Sequence, residues 1–104
     1  MLRIYDVVLQ LIREVRPLLE TMARKDPDLT RQCQRALTSI SLNIAEGSYS
    51  QGRNRIARYH NAMGSAREAL ACFEAAEALG YVASVDCVRA LFDHIIGTLF
   101  KVTR

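Results

Sequence analysis

The chain has too few cysteines, in the wrong places, for a metal cage or a disulfide framework. Cys33, Cys72 and Cys87 are an odd count, widely separated and without a Cys-x-x-Cys pair, which argues against both zinc ligation and a cross-linked secreted scaffold. They read as small buried apolar residues in a reducing compartment. Long apolar runs are lacking too: no stretch approaches the ~20 apolar residues that a membrane-spanning helix needs. The opening run from Leu2 to Ile12 is broken by Arg3, Asp6 and Gln10 and lacks a small-residue cleavage site, so it does not read as a secretory signal. The expected location is the cytoplasm, with no membrane partner. Alternation of apolar and polar residues at a period of two is missing as well, and with it the mark of a half-buried strand.

What is present is helical periodicity from end to end. With 104 residues, 50% of them hydrophobic, there is material for one modest core, so residues 1–104 are expected to form a single domain. Tyr5, Val8, Ile12, Val15, Leu19 and Met22 recur at three and four residues and give a first helix its apolar stripe. Pro17 lies inside that stripe, where the missing amide and the crowded carbonyl of Arg13 predict a kink rather than a break. Asp26-Pro27-Asp28 opens a second helix with a cap, a first-turn proline and an acid at the positive helix end. There Leu29, Cys33, Ala36, Leu37, Ile40 and Ile44 turn inward, and Gly47 is the expected left-handed stop. After a polar connection from Ser48 to Arg53, a third helix from about Gly52 to Leu79 buries Ile56, Tyr59, Met63, Ala66, Leu70 and Phe73, and Gly80 ends it. Ser84 is the expected cap of a fourth, with Val88, Phe92, Ile95, Leu99 and Val102 inward. Four helices joined by short links predict an all-α, antiparallel up-down four-helix bundle.

Such a bundle can carry a di-iron centre when Glu-x-x-His pairs project from two helices. His60 is preceded three positions earlier by Ala57, and His94 by Leu91, so neither histidine has its carboxylate, and no metal or other cofactor is expected. Ser39, Ser41 and Ser65 lie in helical patterns without a Gly-x-Ser-x-Gly elbow or a basic partner, which speaks against nucleophilic catalysis. Glu46 and Glu68 would make an acid–base pair if their helices adjoin. A structural role accounts for more of the pattern. Ser39, Asn43 and Glu46 fall along one flank of the second helix, and Asn61, Ser65 and Glu68 along one flank of the third. Two such polar rows suit an interhelical hydrogen-bond network. Gly64, with Ala57 and Ala71, would let a neighbouring backbone come close. No enzymatic activity is expected.

Acidic residues are missing between Gly47 and Glu68, while Arg53, Arg55, Arg58 and Arg67 are all there. Arg53, His60 and Arg67 repeat at seven residues and stack along one side of the third helix. Arg31 and Arg35 sit one turn apart on the second, opposite its apolar stripe. Twelve arginines against two lysines, with a net charge of +3, suit a phosphate-bearing partner. Aromatic residues for stacking bases are sparse: Tyr49 and Tyr59 are the nearby candidates, and Tyr59 belongs to the core pattern. Contact with nucleic acid would therefore be largely independent of sequence. Apolar surface exceeds what one stripe needs. Ile4, Val7, Leu11 and Leu18 form a second row on the first helix, and Leu91, Ile96 and Phe100 flank the stripe of the fourth. Both arcs are broader than the ~100° of an ordinary surface helix. Ile4, Val7, Leu11, Leu18, Ile96 and Phe100 are thus the expected interface of a homo-oligomer.

The stretch from Ser39 to Gly47 (SISLNIAEG), with Ala62 to Glu68 (AMGSARE) and Ala76 to Tyr81 (AEALGY), resembles the bacterial four helix bundle protein family. That family includes the proteins encoded in 23S rRNA intervening sequences and the accessory proteins of diversity-generating retroelements. Ser39-Ile40, Asn43 to Gly47, Gly64-Ser65 and Leu79-Gly80-Tyr81 match its pattern position by position, and the match covers most of the chain. Two positions depart from it. Gln34 stands where a second arginine is common before Arg35, which weakens the basic patch, and Ala69 replaces the usual leucine, which trims core volume. The resemblance implies a bundle without an established reaction. It also implies ring-like homo-oligomers, with a pentamer the implied state, and in the retroelement branch docking on a reverse transcriptase and its RNA. The function expected is a self-associating, non-enzymatic adaptor that binds RNA or DNA, or a nucleic-acid enzyme such as a reverse transcriptase. The alternative is a structural or regulatory protein-binding module whose arginines only solubilise it.

Overall fold

A computed structural model describes residues 2–104 and resolves the helical pattern into α1 (Ile4–Lys25), α2 (Pro27–Ser48), α3 (Gly52–Ala78) and α4 (Asp86–Thr103). A single residue, Asp26, joins the first two helices. Its N–H donates to the carbonyl of Met22 at 2.7 Å, its own carbonyl accepts the Thr30 N–H at 3.1 Å, and its side chain accepts the Leu29 N–H at 3.0 Å. With Pro27 fixed in the first turn, the chain must reverse here. Gly80 ends α3 at φ +79. The Tyr81 N–H reaches the Ala76 carbonyl at 2.8 Å and the Gly80 N–H the Glu77 carbonyl at 3.0 Å, the bond pair of a Schellman motif.

Each helix packs against its neighbour in sequence, and α1 also packs against α4, so the four form a square antiparallel bundle of 42 × 23 × 19 Å. The core line of α1 is Ile4, Val8, Leu11, Val15, Leu19 and Met22. Tyr5 and Ile12 lie half-buried beside it, as do Val7 and Leu18. The two apolar rows of α1 are therefore one face and its flanks. Ile4 and Leu11, expected at an oligomer interface, are 3% and 0% exposed and belong to the chain's own core. A corner helix needs that width, since it closes seams with two neighbours. On α3, Ala62, Ala66, Ala69, Cys72 and Ala76 are buried together with Tyr59, Met63 and Phe73. Small side chains on this seam let α2 and α3 come close, and Phe73 fills the interior against Phe92 with ring centroids 6.0 Å apart.

Several local expectations are corrected. Gly47 is no stop: it lies inside α2, is buried, and has no positive φ. A Cβ there would collide with the Tyr59 ring, with Cδ1 at 2.7 Å, and stand 3.3 Å from Cβ of Arg58. Its smallness serves packing between helices. Gly64 is the converse, since nothing lies within 4 Å of where its Cβ would be, and it faces solvent. Ile56 is 41% and Val102 38% exposed; both fall near an end of the bundle, outside the core line. Thr103 is buried in place of Val102, its hydroxyl satisfied by the Leu99 carbonyl at 2.8 Å. Ser84 supports α4 from one position further out, its Oγ accepting the Asp86 N–H at 3.1 Å. Across Pro17, α1 continues unbroken; the proline is exposed, so its missing hydrogen bond falls on the wet side of the helix.

Candidate nucleic-acid interface

The seam between α2 and α3 carries the polar rows. Ser39 Oγ and Ser65 Oγ are 2.8 Å apart, and Asn43 Nδ2 donates to the Ser39 carbonyl at 2.9 Å and to Ser39 Oγ at 3.0 Å. Two turns along, Arg58 pairs with Glu46 at 2.9 Å. These pairs, with Gly47 against Tyr59, fix an antiparallel register that also sets Cys33 opposite Cys72. The buried part of the network is narrower than the sequence pattern: Ser39, Asn43 and Ser65 are half-buried, whereas Glu46 and Glu68 are exposed. Glu68 makes no hydrogen bond or ion pair among the described residues. Glu46 and Glu68 form no acid–base pair either, because Glu68 lies ten residues beyond the partner of Glu46, roughly 15 Å along α3. Every buried side-chain polar atom among the described residues has a hydrogen-bond partner.

Outside this seam runs a shallow groove of about 490 Å³, lined by Arg31, Arg35, Thr38, Leu42, Glu46 and Arg58 among others. A second concavity over α3 shares Ser39, Asn43 and Arg58 with it and adds His60, Asn61, Gly64 and Glu68. Of the six arginines expected to contact phosphates, Arg31, Arg35 and Arg58 line the first hollow, while Arg53 and Arg67 line neither. Their availability differs. Arg31 pairs with Asp28 one turn away, and Arg58 is held by Glu46. Arg55 is committed to the fold: its Nε donates to the carbonyls of Gly47 at 3.1 Å and Ser50 at 3.0 Å, and its Nη2 to that of Ser48 at 3.3 Å. It closes the carbonyl end of α2, the task expected of Gly47. Arg35, Arg53 and Arg67 are exposed and make no ion pair or side-chain hydrogen bond among the described residues.

Two features went unread in the sequence. Arg89 of α4 is held by Glu74 at 2.9 Å and Asp86 at 3.1 Å, contacts that push its pKa up, and Glu77 accepts the Val85 N–H at 2.8 Å. This cluster ties the α3–α4 loop down. Leu42 is the second, 58% exposed among the residues that line the arginine-bearing groove. Burial pushes the Cys33 and Cys72 thiols up, each under the further influence of Glu68, so both are poor nucleophiles. Cys87 is exposed. Among the described residues no group of three or more His, Cys, Asp or Glu side chains is placed to hold a metal ion, and no helix is long and apolar enough to cross a membrane.

No curated protein matches the chain significantly. A crystal structure from Bacteroides thetaiotaomicron, described as a protein with unknown function from the S23 ribosomal protein family, shares the fold. Its TM-score is 0.67 at 20% identity, with 96% of this chain and 91% of that one covered. The model of the 23S rRNA-intervening sequence proteins matches residues 1–100. That span takes in the Asp26 reversal, the Ser39–Ser65 seam and the Gly80 stop, and on it the chain belongs to the 23S rRNA-intervening sequence protein family.

Proposed function

We propose that this chain is a self-associating, non-enzymatic adaptor of the cytoplasm that grips nucleic acid by its phosphates, without regard to sequence, or presents it to a nucleic-acid enzyme such as a reverse transcriptase. The observation that carries this reading is uncommitted positive charge. Arg35, Arg53 and Arg67 stand exposed and unpaired among the described residues, the last two in a stretch with no acid from Ser48 through Arg67. A guanidinium left in water without a carboxylate is free to displace counterions from a phosphate backbone. The family's association with 23S rRNA intervening sequences is consistent with an RNA partner. Self-association is supported by Phe100, 51% exposed, one turn after half-buried Ile96 on α4, and by half-buried Val7 and Leu18 on α1. A ring, of which a pentamer is the form the resemblance implies, would multiply weak phosphate contacts.

The test is the salt dependence of binding to labelled RNA and DNA. Affinity should fall steeply with salt, and Arg35→Gln, Arg53→Gln or Arg67→Gln should each reduce the log–log slope by roughly one unit. Arg55→Gln should change it less per unit loss of stability, since that side chain is spent on α2. Absence of binding at low salt would shift the reading to a protein-binding module, for which exposed Leu42 among arginines offers an apolar anchor with a charged rim.

A further inference from the structure

Positive charge is in excess at one end of the bundle. Towards the end that holds the α1–α2 and α3–α4 connections, Glu20, Asp28, Glu74, Glu77 and Asp86 are largely balanced by Arg24, Lys25, Arg31 and Arg89. At the other end α1 and α3 begin and α2 and α4 finish, and Arg3, Arg53, Arg55, Lys101 and Arg104 stand there. The acids nearest to them are Asp6 and Glu46, and Glu46 is already neutralised by Arg58.

The same end exposes apolar surface, with Tyr49 the extreme at 85%. Its backbone works for the fold, the N–H bonding the Glu46 carbonyl at 3.2 Å. Its ring packs into no core, and its hydroxyl has no hydrogen-bond partner among the described residues. Any residue but proline could supply that amide, so the aromatic side chain is unexplained by folding. Continuing the α2–α3 register places Ile56, 41% exposed, across the connection from Tyr49, with unpaired Arg53 about one turn before it. An exposed π-face at the end of the bundle that also carries exposed Ile56 and an excess of cations offers stacking to a nucleobase and charge to its phosphate. Bases inside a duplex cannot use it, because both their faces are already stacked.

We infer that the basic end of the bundle binds unpaired polynucleotide, with one base stacked on Tyr49 and a neighbouring phosphate on Arg53. This rests on the phosphate-binding reading above and adds to it the strandedness of the ligand and the place where it is read. The test compares a labelled ~12-nucleotide oligouridylate, the matching oligothymidylate and a DNA duplex of the same length, a span within the ~4–16 nucleotides of known single-strand sites. Tyr49→Ala should weaken both single strands about tenfold, leave the duplex unchanged, and keep the salt slope. Tyr49→Phe should bind as the wild type does. The chain has no tryptophan, so Tyr49→Trp provides a lone indole whose emission single strands should quench and duplex should not. Loss confined to the oligouridylate would assign the site to RNA. Equal weakening of duplex and single strand by Tyr49→Ala, or single-strand affinity unchanged within about twofold, overturns the inference while leaving phosphate binding intact. Wild-type protein that binds none of the three at low salt removes both readings.

Discussion

Two glycines of the matched pattern do opposite things. Gly47 is where Tyr59 presses against the backbone of α2, so Gly47→Ala should drive the helices apart and destabilise the chain by roughly 1–3 kcal/mol. Gly64 meets nothing, and Gly64→Ala should leave stability unchanged or raise it by up to about 1 kcal/mol, the helix-propensity difference. Chemical denaturation of the two variants measures both, and a Gly47→Ala protein as stable as the wild type would refute the close-packing account. The thiols make a second residue-level case. Burial raises the pKa of Cys33 and Cys72 above the ordinary 9.0, so as pH climbs through about 9 the unfolded chain loses thiol protons that the folded chain keeps. Stability is therefore fully present below that pH and falls above it. Tyr81, pushed up by partial burial and by neighbouring Asp26, acts with the same sign at somewhat higher pH. Melting between pH 8 and 10.5 should show the decline, and Cys33→Ala with Cys72→Ala should flatten its first part.

The helices themselves were well marked, because each carried its own start, stripe or stop. Asp26-Pro27 and Gly80 act locally, and a local signal survives without knowledge of the partner. What the pattern could not supply was the relation between helices. Gly47 looked like a stop because glycine after an apolar run commonly is one; that Tyr59 would lean on it depends on the register of α3. Ile4 and Leu11 looked surplus because the two seams that α1 must close were not yet known. Arg55 looked like a phosphate ligand, and its carbonyl partners lie five to eight residues back across a turn. Replacing it by glutamine should fray the last turn of α2 and cost roughly 1 kcal/mol, visible as faster amide exchange near Ser48 and a lower melting temperature. Of the site, the serine–asparagine seam was legible in kind; the division of the arginines into free and committed was not, since that depends on side-chain reach.

Assembly belongs to the molecule as a whole. If Phe100 and the half-buried flank around it seat a second copy, Phe100→Glu should yield a smaller species with unchanged helicity in light scattering and circular dichroism. Leu11→Glu is the contrasting control, and it should unfold the chain, because Leu11 is completely enclosed. A wild-type protein that stays monomeric at micromolar concentration would refute self-association.

The way the square closes has a kinetic consequence. Three of its four seams join consecutive helices across links of one, three and seven residues, so little chain entropy is lost in forming them. Only the α1–α4 seam brings distant parts of the chain together. Topologies dominated by near neighbours cross low barriers, and helical bundles of this size reach the native state in microseconds to milliseconds. On a ribosome, α1, α2 and α3 can pair as they emerge, before α4 exists to cover them. For that interval the inner faces of α1 and α3 lie open to whatever else is nearby, and a sister chain leaving a neighbouring ribosome on the same message carries the matching α4.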